Sequence, residues 1–223
     1  MRLLRMVFEG LPQFYNVLDI DFVAKQRVDE DDKQRLYPVF SKIYLNQIIS
    51  FVGINASGKT TILKVISFAI KMLNNESINN SQSKEILSEL KPSQQVILTS
   101  YFCDSDFVYK LETFIGKEVN SLDGSEKFVI LDESLWSKEL KKIKTKKSVF
   151  DFKESDLKER RNQNEQYLMN DVSIMVAENK RNNGFFFIRD MSKWTDNNIL
   201  NLMGKFPKEL FSFLHHTIEY INC

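Results

Sequence analysis

Residues 53–60 read Gly-Ile-Asn-Ala-Ser-Gly-Lys-Thr, a complete G-x-x-x-x-G-K-[ST] loop. An apolar run, Ile48, Ile49, Ser50, Phe51 and Val52, leads into it, and a helix-forming run over 61–73 leaves it. Strand, glycine loop and helix in that order is the arrangement through which such a loop wraps a phosphate. The backbone N–H groups converge at the helix N-terminus, where the dipole is positive. Lys59 would then reach the β- and γ-phosphates of a nucleoside triphosphate, and the Thr60 hydroxyl would join the Mg²⁺ shell. A chance match in a turn would have to supply both glycines, the Lys-Thr pair, the strand and the helix together.

The chain has 223 residues, room for one large or two small domains. Its hydrophobic content of 43% and charged content of 27% are those of ordinary globular proteins. A net charge of +1 gives no global field toward nucleic acid or an anionic membrane. Two cysteines, Cys103 and Cys223, are too few for a disulfide scaffold and suit a reducing cytosol. No apolar stretch approaches the roughly 18 residues of a membrane span. The N-terminus lacks the apolar core and cleavage site of a signal peptide. The expectation is a soluble cytoplasmic protein with no membrane partner.

Along the chain, 3–8 and 17–23 read as two antiparallel strands around a turn bearing Gly10, Pro12 and Asn16. Residues 29–33 form a charged loop, and 43–45 and 48–52 are further extended runs before the glycine loop. An Asn- and Ser-rich stretch over 74–83 reads as a surface loop. A short helix over 84–90 ends before Pro92. Three extended runs come next, 96–102, 107–115 and 128–131. Turns at Asp104-Ser105-Asp106 and Asp123-Gly124 separate them, which predicts an antiparallel meander. In the second run Tyr109, Leu111, Thr113 and Ile115 share a face. From Ser155 the pattern reads as helical, with Ser155 or Asp156 capping a helix through about Asn179. Asn182-Asn183-Gly184 stops it, Phe185 to Ile188 is a short apolar strand or buried turn, and 197–222 reads as two helices.

The loop spelling carries more than the generic motif. Gly53, Asn55, Ala56, Ser57, Gly58, Lys59, Thr60, Thr61, Ile62, Leu63 and Lys64 together resemble the loop of the ABC-type AAA ATPases of the SMC/RecF/OLD group. The likeness is sharp over 48–66 and looser over 1–47 and 96–152. It implies an α/β fold: a P-loop NTPase core of ABC/SMC type with an antiparallel β-subdomain and a helical C-terminal portion. On this reading 1–223 is a single incomplete ATPase head. Its parts are 1–73 with the N-terminal strands, phosphate loop and first helix, 84–152 with the meander, and 153–223 as the helical portion. The likeness also implies ATP with Mg²⁺, held by Gly53, Asn55, Ala56, Ser57, Gly58, Lys59, Thr60 and Thr61, with Thr60 as the metal ligand. Nucleotide-driven dimerisation, as a homodimer or with an effector protein, would control a DNA-related or defence effector. The group also needs a Leu-Ser-x-Gly signature and an apolar Walker B strand ending in Asp-Glu, and the expected succession of the two is not found here. The alternatives are a regulatory nucleotide-binding module without turnover, or a P-loop enzyme of another class.

That last alternative turns on Phe128-Val129-Ile130-Leu131-Asp132-Glu133, which matches a Walker B by letters. Asp132 would hold the Mg²⁺ water shell, and Glu133 would be the catalytic candidate that polarises water. The Asp123-Gly124 turn argues for a hairpin instead, because a parallel neighbour needs a crossover of a dozen or more residues. The lysines at 138, 141, 142, 144, 146 and 147 could touch nucleic-acid phosphates or form a solvated face, the reading favoured by their lack of interleaved aromatics. His215 and His216 have no spaced partners for zinc.

Overall fold

The computed structural model describes residues 2–26, 28–54, 58–73, 78–79, 85–119, 121 and 123–162. Its strands and α-helices include β1 (Arg2–Glu9), β2 (Leu18–Asp21), β3 (Leu36–Phe40), β4 (Ile43–Asn46), α1 (Lys59–Leu73), β5 (Val96–Cys103), β6 (Phe107–Val119), β7 (Glu126–Glu139), α2 (Lys146–Phe150) and β8 (Leu157–Asn162), and residues 85–87 are also helical. Six strands make one sheet in the order β2-β1-β5-β6-β7-β8, and every pairing in it is antiparallel. The strands β3 and β4 form a separate antiparallel hairpin.

This architecture overturns the expected fold class. Among the described residues the structure is mostly antiparallel sheet, not an α/β P-loop core. Two local outcomes account for the difference. Residues 48–52 lie in no strand; Ile48 at 86% and Val52 at 93% are open to solvent, while Phe51 packs, partly buried, against the core. No parallel strand therefore stands beside the glycine loop among the described residues. The helix expected from Ser155 is replaced by a 3-10 turn at Glu154–Asp156 and then by β8. The free edge of β7 offers a row of N–H and C=O groups. Pairing with them outweighs the weak helical preference of a charged six-residue stretch. The remaining helical readings, and Phe185 to Ile188, lie outside the described residues.

The meander forms with long strands. Leu98 lies opposite Thr113 and Ser100 opposite Leu111 between β5 and β6. Across β6 and β7, Gly116 faces Val129 and Thr113 faces Glu133. The register slips between Phe114 and Ile115, so Leu131 is the extra residue of a bulge. Its side chain fills the space above Gly116, where an added Cβ would sit 2.7 Å from Leu131 Cδ1. The bulge also shifts the alternation of β7 by one position, and Asp132 and Glu133 are the first residues it re-aims.

Helix α1 is amphipathic, burying Val65, Ile66, Phe68, Ala69, Ile70, Met72 and Leu73. That stripe joins Met6, Phe8, Ile20, Leu98, Phe102, Leu111, Ile115, Ile130 and Leu135 in the main core. One sheet face is thus covered by the helix that leaves the glycine loop. Asn79 fastens the chain beyond α1 to the start of β7, donating to the Phe128 carbonyl at 2.9 Å and accepting from the Phe128 N–H at 2.8 Å. A second core gathers Leu4, Val23, Ile43, Cys103, Val108, Ile143 and Val149, between the sheet, the β3–β4 hairpin and α2. Among the described residues no helix is long and apolar enough to cross a membrane.

Candidate functional site

The glycine loop meets α1 at Gly58, whose φ is +83°, a left-handed torsion that suits glycine. The helix begins with the next residue, Lys59, and Thr60 is its second. The Ile62 N–H donates to the Gly58 carbonyl at 2.9 Å, so the first helical turn closes directly on the loop. First-turn N–H groups of a helix have no intrahelical acceptor, and they carry the positive end of its dipole. Lys59 Nζ curls back over the loop and donates to the carbonyls of Gly53 at 2.9 Å and Ile54 at 2.7 Å. Both of these acceptors are neutral backbone carbonyls of the loop. Thr60 is exposed. Asn55, Ala56 and Ser57 lie outside the described residues, and Thr61 is the third residue of α1.

One neighbour of the loop was not readable from sequence. Among the described residues, the only heavy atom within 4 Å of a Cβ built on Gly58 is Phe14 Cε1, at 4.0 Å. The β1–β2 loop therefore reaches the glycine loop. It is anchored at Gln13, whose Nε2 donates to the Ile86 carbonyl at 2.7 Å, and next to Phe14 the ring of Tyr15 is fully exposed. No local signal links Phe14 to Gly58; the contact depends on how β1 and β2 sit on the sheet. The loop and helix N-terminus thus fit a phosphate group chemically: an open left-handed glycine, an ammonium held over the loop and a helix start with an exposed hydroxyl.

Asp132 and Glu133 stand elsewhere in the architecture. Both lie midway along β7, not at the end of a strand, and β7 pairs antiparallel with β6 and β8. Glu133 is fully buried and accepts a hydrogen bond from Thr113 Oγ1 at 2.7 Å. Asp132 accepts from Arg160 Nη2 at 3.2 Å. The structure engages both carboxylates with neighbouring strands, whereas the Walker B reading needs them turned toward a metal and a water.

The lysine run divides into two kinds. Lys138 Nζ donates to the carbonyls of Ser148 at 2.5 Å and Asp151 at 2.6 Å and lies 4.4 Å from the centre of the Phe152 ring. Burial holds its pKa below the ordinary lysine value. Lys146 Nζ donates to the carbonyls of Ala24 at 2.6 Å and Gln26 at 2.8 Å. These two are clamps, while Lys141, Lys142, Lys144 and Lys147 are exposed. Among the described residues no three His, Cys, Asp or Glu side chains group as metal ligands. His215, His216 and Cys223 lie outside them.

No family model, no curated protein and no solved structure matches the chain.

Proposed function

We propose that the chain binds ATP with Mg²⁺ at the loop of residues 53–60, and that the bound nucleotide switches its association with a second copy or an effector protein. The observation that carries this reading is the junction at Gly58. A left-handed glycine passes straight into a 15-residue helix headed by Lys59 and Thr60. Gly53, Gly58, Lys59, Thr60 and Thr61 would hold the phosphates, with Thr60 toward the metal. When bound, the nucleotide supplies a γ-phosphate whose presence or loss can bias an interface. A DNA-related or defence effector and a cytoplasmic setting are parts of the same proposal, resting on the likeness of the loop spelling.

Binding without turnover by this chain is the form the geometry favours. Glu133 is occupied by Thr113 inside the sheet, and Asp132 by Arg160 at its edge. Neither observation supports a water-activating role for the pair.

Calorimetry with ATP and Mg²⁺ tests the reading. A charged hydrogen bond contributes about 1.5–3 kcal/mol, so Lys59→Ala is expected to weaken binding by roughly 10- to 100-fold. The far-UV spectrum should not change, because the described bonds of Lys59 Nζ are to surface loop carbonyls. Equal affinity for wild type and variant removes the assignment.

A further inference from the structure

Antiparallel neighbours in a sheet are ordinarily joined by about two to five residues. Strands β7 and β8 are such neighbours, yet the chain between them runs from Leu140 to Asp156. This connection crosses one face of the sheet. At its start the Leu140 N–H donates to the Asp106 carbonyl, in the β5–β6 turn, at 2.9 Å. Further on, Phe150 meets Tyr101 of β5 edge-on at 5.0 Å, and the Arg5 guanidinium of β1 lies 5.2 Å from the Phe150 ring centre. Lys146 Nζ reaches past the exit of β2 and donates to the Ala24 and Gln26 carbonyls. The connection thus spans from β7 to the opposite edge of the sheet before it returns to begin β8.

Its turns satisfy its own backbone. The Ile143 N–H donates to the Leu140 carbonyl at 3.0 Å, and the Asp156 N–H to the Lys153 carbonyl at 2.9 Å. Thr145 and Ser148 cap α2 reciprocally: Thr145 Oγ1 accepts from the Ser148 N–H at 3.2 Å, and Ser148 Oγ from the Thr145 N–H at 3.0 Å. Among the described residues, the bond from Leu140 to Asp106 is the one backbone pair that ties residues 140–156 to another element. The other attachments are side chains. Ile143 and Val149 are buried in the second core, Leu140, Phe150 and Phe152 pack around them, and Lys138 and Lys146 grip backbone carbonyls. A stretch that carries its own turns and shares few backbone bonds with its surroundings opens as a cooperative unit.

We infer that residues 140–156 are a strap over the second core and that Lys146 is its latch. Lys138 stands on β7 at the root of the strap and holds its return arm at Ser148 and Asp151. Lys146 fastens the tip to the β2 exit by two charge-assisted bonds, which are stronger than neutral ones. With the ammonium in place the strap stays shut. Neutralising it frees the tip, and Ile143 and Val149 leave the core that they share with Leu4, Cys103 and Val108. The six-stranded sheet keeps its ladder throughout. The inference is independent of nucleotide binding at Gly58 and Lys59.

The test uses the full chain in a Cys223→Ser background, with a disulfide reagent reading access to Cys103. Lys146→Gln and Lys146→Met remove the charge, and Lys146→Met also keeps the apolar stem. Both should label Cys103 at least ~10-fold faster than wild type without urea. That gain should be nearly flat in low urea, because lifting the strap exposes far less surface than unfolding does. Lys146→Arg keeps the charge and the paired donors, so it should label as wild type does. Hydrogen exchange should show the amides of 140–156 losing protection in the neutral variants while those of 108–115 and 129–136 keep theirs. Unchanged labelling, or Lys146→Arg labelling as fast as Lys146→Gln, overturns the inference. So does a gain that climbs steeply with urea and is shared by the β6 and β7 amides, which is global destabilisation. Loss of the folded far-UV spectrum in both neutral variants also overturns it, because the latch would then be inseparable from the sheet.

Discussion

Gly10 and Gly58 share a left-handed torsion, with φ of +77° and +83°, but their surroundings differ. A Cβ at Gly10 would sit 2.5 Å from the Gln95 carbonyl oxygen, a backbone atom of the chain entering β5. At Gly58 the nearest described atom is 4.0 Å away. The torsion alone costs an alanine about 1–3 kcal/mol. Gly10→Ala adds a backbone clash that must be relieved by moving one strand end against another. Urea unfolding should therefore show Gly10→Ala losing more stability than Gly58→Ala, with the latter within about 1–3 kcal/mol of wild type. Gly58 was legible from its place in the motif. Gly10 was legible as a turn residue, but its contact with Gln95 joins positions far apart in the chain and has no local signature.

Strand β7 shows how letters and elements part company. Phe128 to Glu133 spells an apolar run ending in two acids, yet the strand continues to Glu139 and pairs antiparallel on both sides. The Asp123-Gly124 turn, with Gly124 at φ +68°, lies in the loop of residues 120–125 that joins β6 to β7. The antiparallel direction was readable from that turn. The register was not: the run at 128–131 lies against Ile115, Gly116 and Lys117, while 132–139 pairs with 107–114. The bulge at Leu131 sets this offset, and it arises from packing over Gly116. Glu133 then faces Thr113 inside the sheet. Glu133→Gln keeps the shape and an acceptor for that hydroxyl, so any residual ATP turnover measured by phosphate release should change little, within about twofold, since one catalytic carboxylate would contribute 100-fold or more. A vigorous wild-type rate abolished by this change would restore the catalytic reading of β7.

For the molecule as a whole, Cys103 is a reporter of global opening. It ends β5 inside the second core, and burial pushes its thiol up to about 12. Near pH 8 the folded protein therefore offers almost no thiolate and no access at Cys103. In a Cys223→Ser background, labelling of Cys103 by a disulfide reagent should occur only through unfolding and accelerate with urea; rapid labelling of the native chain would show that the second core opens locally. Sequence by itself determined what depends on near neighbours. The glycine loop, the helix leaving it, the meander turns and the alternation that puts Tyr109, Leu111, Thr113 and Ile115 on one face are all set by torsional preference and short-range pattern. Tertiary structure decided what depends on an available partner. Residues 48–52 have strand-forming side chains but pair with no strand among the described residues, whereas the charged stretch at 157–162 becomes β8 by pairing with β7. Backbone hydrogen bonds complete a strand only when a second chain segment lies alongside, and no local residue pattern specifies whether it will.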